Sequence, residues 1–555
     1  MDSLVHYNLL LSKMPNKTRK VQKASRVADY IIVGGGTAGA VLARRLSERF
    51  SVIVLEGGIK DDNNSLISNP LNSGLLVNGF TNDFFWPLGH ARLHPPPDNK
   101  RFPAVAGEIL GGGSSVNGMQ YVRGTDDFFS RWQQQAGGDA AWGPDSAHIV
   151  YKNLENFNGV PGQFDPAIHG ENGPVDIRQV AQNLEAAQLF QTALNAVGVP
   201  SITDYNDPGT PIGAFLYWQL FQQPDKRRES SSTAYLDEIL VPKGTHKYVS
   251  NNPNNQLVVY IKAHVVRILF SHKHRVPRAG GVKAVIDGHE VIFCARKKVI
   301  LSAGFQSPLL LELSGIGDAQ VLTEKSIPVI YNNPNVGRNM LNHPIITLSA
   351  TGTVPAASNL DPEALYSGGA EISNPLNPGT SIRFSQFIGI ANPGNDGNGV
   401  FTIAALLLAA PSAGDVQPIY SDPLRMPFYD FNYFTDAGEI LVAVAVYRIM
   451  YNTLVNMGLT PLGPAPPAIL DPTDPQFIAV RAYIIATYGQ AYHWTGSCRM
   501  STSPSTGVVD NNGNVFGVEN LVVADITIIP VNPDGNTAGP AFFVGNVMSN
   551  KLLVA

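Results

Sequence analysis

The hydrophobic pattern is sharpest over residues 28–58, ADYIIVGGGTAGAVLARRLSERFSVIVLEGG. Residues 30–33 form a β-rich apolar run. Residues 37–50 are helix-forming and end in charge at Arg44, Arg45, Glu48 and Arg49. Residues 51–55 form a second apolar run, closed by Glu56. The pattern predicts strand, tight turn, helix, strand and acidic residue. Residues 59–106 are less regular, and FFWP (84–87) and the HPPPDN run from His94 suggest an extended segment crossing a surface. Residues 107–121, GEILGGGSSVNGMQY, set three glycines and two serines among Ile109, Leu110, Val116 and Met119. Residues 381–388, SIRFSQFI, alternate as a strand does when one face is covered.

The turn in the first unit carries chemistry. Gly34, Gly36 and Gly39 give G-x-G-x-x-G between a strand and a helix. Gly34 permits the sharp turn, Gly36 has no side chain to block a pyrophosphate, and Gly39 lets the helix pack on the strand. The helix N-terminus, from Thr37 and Ala38, offers free N–H groups to phosphates. Glu56, with Gly57 behind it, can accept the ribose hydroxyls. An adenine dinucleotide is expected, and the acidic residue disfavours NADP, whose 2′-phosphate prefers a basic partner. This stretch does not separate FAD from NAD. Gly111, Gly112 and Gly113, followed by Ser114 and Ser115, can expose successive backbone N–H groups as a second anion-binding concavity.

Bulk composition narrows the partners. A chain of 555 residues exceeds one ordinary core, so two or more domains are expected. A net charge of −5 gives no electrostatic reason to expect nucleic acid. Two cysteines, Cys294 and Cys498, exclude a disulfide framework and a cysteine-based metal cluster, and no metal site is expected. No run approaches the length of a membrane span, and the apolar run 9–11 is too short for a secretory core, so a cytoplasmic location is expected. Lys13, Lys17, Arg19, Lys20, Lys23 and Arg26 make residues 1–27 a basic arm, read as solvated.

Several collinear segments resemble the glucose–methanol–choline (GMC) oxidoreductase family. They are the dinucleotide unit, the loop Gly111–Asn117, the Phe129–Trp132 helix pattern, SSSTAYL (230–236) and AHVVRILF (263–270). SAGFQSPLLLELSGIG (302–317), NVGRNMLNHP (335–344), HWTGSCRM (493–500) and residues 521–553 continue the likeness. The resemblance implies an α/β Rossmann-like FAD domain over 28–160, 228–320 and 495–555. It also implies an α+β substrate domain on an antiparallel sheet over 161–227 and 321–494. The cofactor it implies is FAD, held by the glycine turn and Glu56, by Trp86, by Leu110, Gly112, Gly113, Ser114, Asn117, Gly118 and Met119, by Val265 at the adenine, and by Asp525, Ile526, Asn536 and Thr537. Some relatives bond the flavin covalently through a histidine at the Val116 position. Valine cannot, so non-covalent FAD is expected. The chain departs from the family at Glu108, usually Arg, Lys or Asn, and at Asn342, usually Asp. It is also one residue short between Gly304 and Ser307.

The resemblance places His493 at the family's catalytic histidine, and His90, His264 and His343 lack that context. A base needs hydrogen-bond reach to the hydroxyl and a pKa near working pH. Asn536, in DGNTAG (534–539), cannot be a base but can bind the substrate oxygen. The expected reaction is oxidation of a primary or aryl alcohol to the aldehyde by hydride transfer to flavin, with oxygen or another acceptor reoxidising it. Tyr492, Trp494, Trp86, Phe84 and Phe85 would form an apolar mouth for uncharged or aromatic alcohols. A hydroxynitrile lyase on the same fold, and an assembly flavoprotein with faded catalysis, are the alternatives. Self-association is left open.

Overall fold

A computed structural model describes residues 26–72, 84–92, 101–271, 275–356, 365–377, 382–394, 398–422 and 427–554. The basic arm before Arg26 therefore lies outside the described residues, as do the side chains of Phe85 and Trp86.

The first apolar run becomes strand Arg26–Val33, and the second becomes Val52–Leu55. They pair in parallel, with Tyr30 opposite Val52 and Val33 opposite Leu55. Leu257–Tyr260 continues the parallel set beyond Val52–Leu55. On the other side lie the end of His289–Leu301 and then Leu521–Val523, both parallel. Ile31, Ile32, Val54, Val299, Ile300 and Val522 are buried, as expected of strands covered on both faces. Strands His264–Ser271 and Arg278–Ile286 meet the long strand His289–Leu301 as an antiparallel extension. Helix Thr37–Leu46 packs against the last helix, Ala538–Val554. A Cβ on Gly545 would lie 2.8 Å from the Val41 Cβ, so glycine allows that close approach.

The second sheet is antiparallel throughout, in the order Thr460–Pro461, Pro344–Gly352, Gly399–Leu407, Ser385–Asn392, Gly369–Ile372, Gly213–Phe215. Alternation along its strands sorts the two faces. Ile346, Leu348, Phe401, Ile403 and Phe387 join a core with helices Leu184–Ala196, Ala437–Asn456 and Pro475–Thr487. Ile345, Ile388, Ile390 and Leu406 face the first domain. The SIRFSQFI stretch enters as a strand only at Ser385, and Ser385–Gly389 is buried without alternation, because both faces of this strand are covered. Residues 59–106, expected to run extended, include strand Phe85–Arg92 paired with Arg101–Gly107 as a hairpin. Ala437–Asn456 is long and apolar enough to cross a membrane by length and composition, contrary to the expectation that no run comes close. Glu439 and Arg448 interrupt its apolar pattern, and 56% of its most apolar window is buried against the second sheet and the neighbouring helices.

The aromatic pattern at Phe129–Trp132 is a packing device. It lies in helix Asp126–Gln135, where Trp132 stacks on Trp142 with centroids 4.9 Å apart and Phe129 meets Phe543 of the last helix at 5.0 Å. Thr125 caps that helix, and its backbone N–H donates to Asp534 at 3.2 Å. Two anchors thus fix the chain on either side of Asn536.

Candidate active site

A cavity of 670 Å³ runs between the two sheets. At one end its wall is backbone. Gly34 has φ +94°, and a Cβ there would sit 2.5 Å from the Ser302 carbonyl oxygen. A Cβ on Gly39 would collide with the Gly34 carbonyl. At Gly36 a Cβ would meet nothing closer than Gly112 Cα at 3.9 Å and would fill the cavity instead. Helix Thr37–Leu46 has no side-chain cap, which leaves its first N–H groups facing the space lined by Thr37 and Ala38. The second glycine loop closes on the first, Gly111 N–H donating to the Gly35 carbonyl at 2.8 Å.

Glu56 stands at the strand end and is buried. Its carboxylate accepts from Gly35 N–H at 2.7 Å and Gly58 N–H at 2.8 Å. Burial nonetheless raises its pKa. The wall also takes in Gly57, Gly112, Gly113, Ser114, Asn117, Gly118 and Met119, then Val265, Asp525, Ile526, Asn536 and Thr537. Gly39 and Leu110 lie behind the wall. Leu110 is fully buried against the Gly35 position. The side chain of Trp86 lies outside the described residues. Glu108 and Val116 also line the cavity. Asp525 is fully engaged by protein: one oxygen accepts from Gly304 N–H (2.9 Å) and Ser307 Oγ (2.6 Å), the other from Thr527 N–H (2.9 Å) and Oγ1 (2.5 Å). It thereby ties down the segment that is one residue short, which turns through Gly304 at φ +54°.

The other end is built from side chains. His493 lies 9% exposed on the cavity wall, and Asn536 Nδ2 is 3.5 Å from its Nε2. His343, set aside in the sequence, is its partner: the two Nδ1 atoms are 2.9 Å apart. His343 Nε2 in turn lies 3.1 Å from Asn532 Oδ1, and Asn532 Nδ2 donates to the Ala410 carbonyl at 3.1 Å. These contacts decide protonation. A backbone carbonyl only accepts, so Asn532 must turn its amide nitrogen to Ala410 and its oxygen to His343. His343, neutral, then carries its proton on Nε2 and accepts at Nδ1. His493 must donate from Nδ1, which leaves its Nε2 unprotonated beside Asn536. Burial holds the His343 pKa down at about 4. Burial first, and the nearby His343 second, push His493 well below its usual value. Both rings are therefore neutral near pH 7.

Asn342 has a physical reason to suit this place. Its Oδ1 accepts from the backbone N–H of both His343 (2.9 Å) and His493 (2.8 Å), while its Nδ2 donates to Gln490. Tyr492, just before His493, has φ +60°, a left-handed conformation rare for a bulky residue. Tyr492, Phe305 and Trp494 form an aromatic wall, Phe305 and Trp494 having centroids 4.2 Å apart. Phe84 is buried among Ile67, Val105, Ile109 and Val116, away from the cavity surface. Cys498 is buried, and burial raises its thiol pKa. Gln120, Tyr366, Phe305 and the His343–Asn532 pair were missed by sequence reasoning. The histidine of NVGRNMLNHP was the available signal for the last of these. Arg228 was also missed. It is buried beneath the second glycine loop and donates to the Asn117 carbonyl at 2.7 Å and Oδ1 at 2.9 Å.

A parallel sheet ending in a glycine turn and an acidic residue defines a dinucleotide-binding α/β protein. The antiparallel sheet across the cavity adds a second end, lined by side chains. The chain belongs to the GMC oxidoreductase family. Models of the family's N-terminal and C-terminal parts match residues 28–345 and 411–545. It is 29% identical over 557 residues to a 5-(hydroxymethyl)furfural oxidase from Methylovorus sp. (strain MP688), covering 95% of this chain and 99% of that one. It is 28% identical to an oxygen-dependent choline dehydrogenase from Pseudomonas syringae pv. tomato, covering 94% and 93%. Pyridoxine 4-oxidase from Mesorbium loti superposes with a TM-score of 0.80 at 22% identity, covering 95% of this chain and 99% of that one. Family and relatives make this chain an oxidoreductase that acts on CH–OH donors.

Proposed function

We propose that this protein binds FAD non-covalently and oxidises an uncharged primary alcohol, aromatic by preference, to the aldehyde. The observation that carries the reading is the hydrogen-bond chain that leaves His493 Nε2 unprotonated next to Asn536 Nδ2 on the cavity wall. The residues present fit FAD. Gly36 leaves room that a Cβ would fill, the uncapped helix at Thr37 and the loop at Gly112 and Gly113 suit a pyrophosphate, and Glu56 suits the ribose. Val116 offers no atom for a covalent link. FAD bound there supplies the hydride acceptor.

The chain does the rest. His493 Nε2 takes the hydroxyl proton, and the imidazolium so formed keeps its Nδ1–H on His343. Asn536 Nδ2 donates to the substrate oxygen as negative charge grows on it, an oriented dipole in a water-poor site. Ile345, Ile388, Ile390, Leu406 and Tyr492 exclude water around the pair. Among the described residues no Arg or Lys lines the cavity. Its carboxylates, Glu56, Glu108 and Asp525, follow strands Val52–Leu55, Arg101–Gly107 and Leu521–Val523 and are not on the second sheet. That favours a neutral, flat substrate over a quaternary ammonium or a carboxylate.

The test is anaerobic mixing of the yellow protein with benzyl, furfuryl and short aliphatic alcohols and with choline. Bleaching of the flavin band by the neutral aromatic alcohols first is the expected result. A flavin that no alcohol on the panel reduces would sink the reading. Cleavage of mandelonitrile without bleaching would point to the lyase instead.

A further inference from the structure

The polarity that runs from the Ala410 carbonyl to His493 does not end at Asn536. Asn536 Nδ2 also donates to Gln120 Oε1 at 3.0 Å. Gln120 sits on the cavity wall, 7% exposed. Its backbone is held firmly. Met119 before it is left-handed at φ +63°, Gln120 bridges Leu220, and Tyr121 N–H donates to the Gln219 carbonyl at 2.8 Å. Two buried atoms of the pair, Gln120 Nε2 and Asn536 Oδ1, have no hydrogen-bond partner among the described residues. A pair of amides can satisfy one bond in either of two ways, with both flipped or neither. Facing the lone pair of His493 Nε2, only the orientation that turns Asn536 Nδ2 toward the histidine avoids two acceptors meeting. The asparagine amide is nearly symmetric in shape, so packing alone does not select that orientation. Two acceptors on the same nitrogen, His493 Nε2 and Gln120 Oε1, do.

We propose that Gln120 is a positioning residue. Its Oε1 holds one N–H of Asn536, so that the other is presented beside His493 Nε2, where the substrate oxygen binds. The proposal rests on the reading of Asn536 as the oxygen-binding group and adds what aims it. Gln120 Oε1 is thus a second acceptor on Asn536 Nδ2, beside His493 Nε2. An uncompensated buried donor at Nε2 is the local cost of keeping Oε1 on Asn536.

The test is a double-mutant cycle on the FAD-loaded full-length protein, with Q120L, N536A and the double variant, and Q120E as the conservative change. Flavin reduction by a reactive alcohol and thermal unfolding are both followed. Q120L slows reduction about tenfold, the size of one lost oriented hydrogen bond, with little change in apparent alcohol affinity. In the N536A background the same substitution slows it no further. Q120E keeps an acceptor and restores most of the rate. Its carboxylate also favours the imidazolium of His493, so the acid limb of the rate profile moves to higher pH. His343 on the opposite ring nitrogen and the phenols Tyr366 and Tyr492 on the same wall are unchanged in that comparison. The Tm losses of the single variants are likewise non-additive. A rate loss from Q120L undiminished in N536A overturns the proposal. If no alcohol reduces even the unaltered protein, the functional reading falls. The Tm cycle then decides, with non-additivity supporting the Gln120–Asn536 link and additivity overturning it.

Discussion

The two ends of the cavity are made of different material. The glycine-turn end is made of backbone: three glycines, uncapped N–H groups and strand termini, all within a single β-α-β unit and the loop that closes on it. The opposite end, proposed as the reaction end, is made of side chains, His493, His343, Asn532, Asn536 and Gln120, which come from four separate segments. A backbone site tolerates changes of side chain around it but no added atom where the glycines stand. A side-chain site has the reverse sensitivity. Each of its members sets the protonation or orientation of the next.

The largest effect that would test this contrast is at Gly34. Gly34→Val puts a branched side chain at φ +94° with its Cβ 2.5 Å from the Ser302 carbonyl oxygen and 2.8 Å from Ala303 Cα. The purified variant is expected to be colourless, with FAD content near zero by the ratio of flavin to protein absorbance, and to unfold at lower temperature. A yellow Gly34→Val protein of normal Tm would show that this end is not built from backbone. His493→Ala makes the opposite cut. It should retain full FAD content while flavin reduction by a reactive alcohol falls by about 10²–10⁴-fold, the range for a lost general base. Rapid-mixing absorbance measures both quantities on one sample.

The same contrast explains what could be read from the sequence. The glycine turn was legible because its parts are local and because only glycine meets the geometric demand at Gly34 and Gly39. His493 and Asn536 were reached by resemblance of the segments around them. The link between His493 and His343 was not legible, since 150 positions separate the two and the 2.9 Å contact depends on how the segment at Tyr492 turns. Tyr492 and Met119 are left-handed without being glycine, so no residue type announced either turn. Gln120 was hidden for the same reason. The hairpin Phe85–Arg92 with Arg101–Gly107 was missed because its proline and glycine content masks strand periodicity. The second sheet was expected as antiparallel and is so, but Ser385–Gly389 is buried on both faces, which alternation cannot report.

Neutral histidines carry a stability signature at both ends of the cavity, His343 at one and His264, beside Val265, at the other, each held down at about 4 by burial. Burial holds the His343 pKa at about 4, against 6.5 for the ordinary side chain. Above pH 6.5 the ring is neutral folded and unfolded, and its contribution to stability is fully present. As pH falls from 6.5 toward 4 the unfolded chain takes up the proton and the folded one does not, so stability is lost, on the order of 3 kcal/mol for this one group. Thermal unfolding of the FAD-loaded protein should show Tm falling over that window. His343→Leu should make the fall shallower by the share of this one imidazole, with His493 and His264 still titrating. An equally steep fall in His343→Leu would assign the loss to other groups.

The smallest effects grade the chain of side chains itself. In His343→Leu, His493 loses the acceptor for its Nδ1–H, so nothing fixes which ring nitrogen carries the proton. Part of the population then presents Nε2–H, which cannot take the hydroxyl proton. Flavin reduction should fall about tenfold, with FAD content unchanged. Asn532→Leu acts one step further away. His343 keeps its place against His493, but its Nε2–H loses the Asn532 oxygen that selected it. The bias toward the productive tautomer weakens without vanishing, and the expected loss is about two- to threefold, a fraction of one hydrogen bond. The order of the three rates, His493→Ala slowest, then His343→Leu, then Asn532→Leu, is the measurement that matters. A relay that sets protonation stepwise gives that gradient. A reaction end held only by packing gives Asn532→Leu, which removes a half-buried polar group beneath the site, a loss equal to or larger than that of His343→Leu.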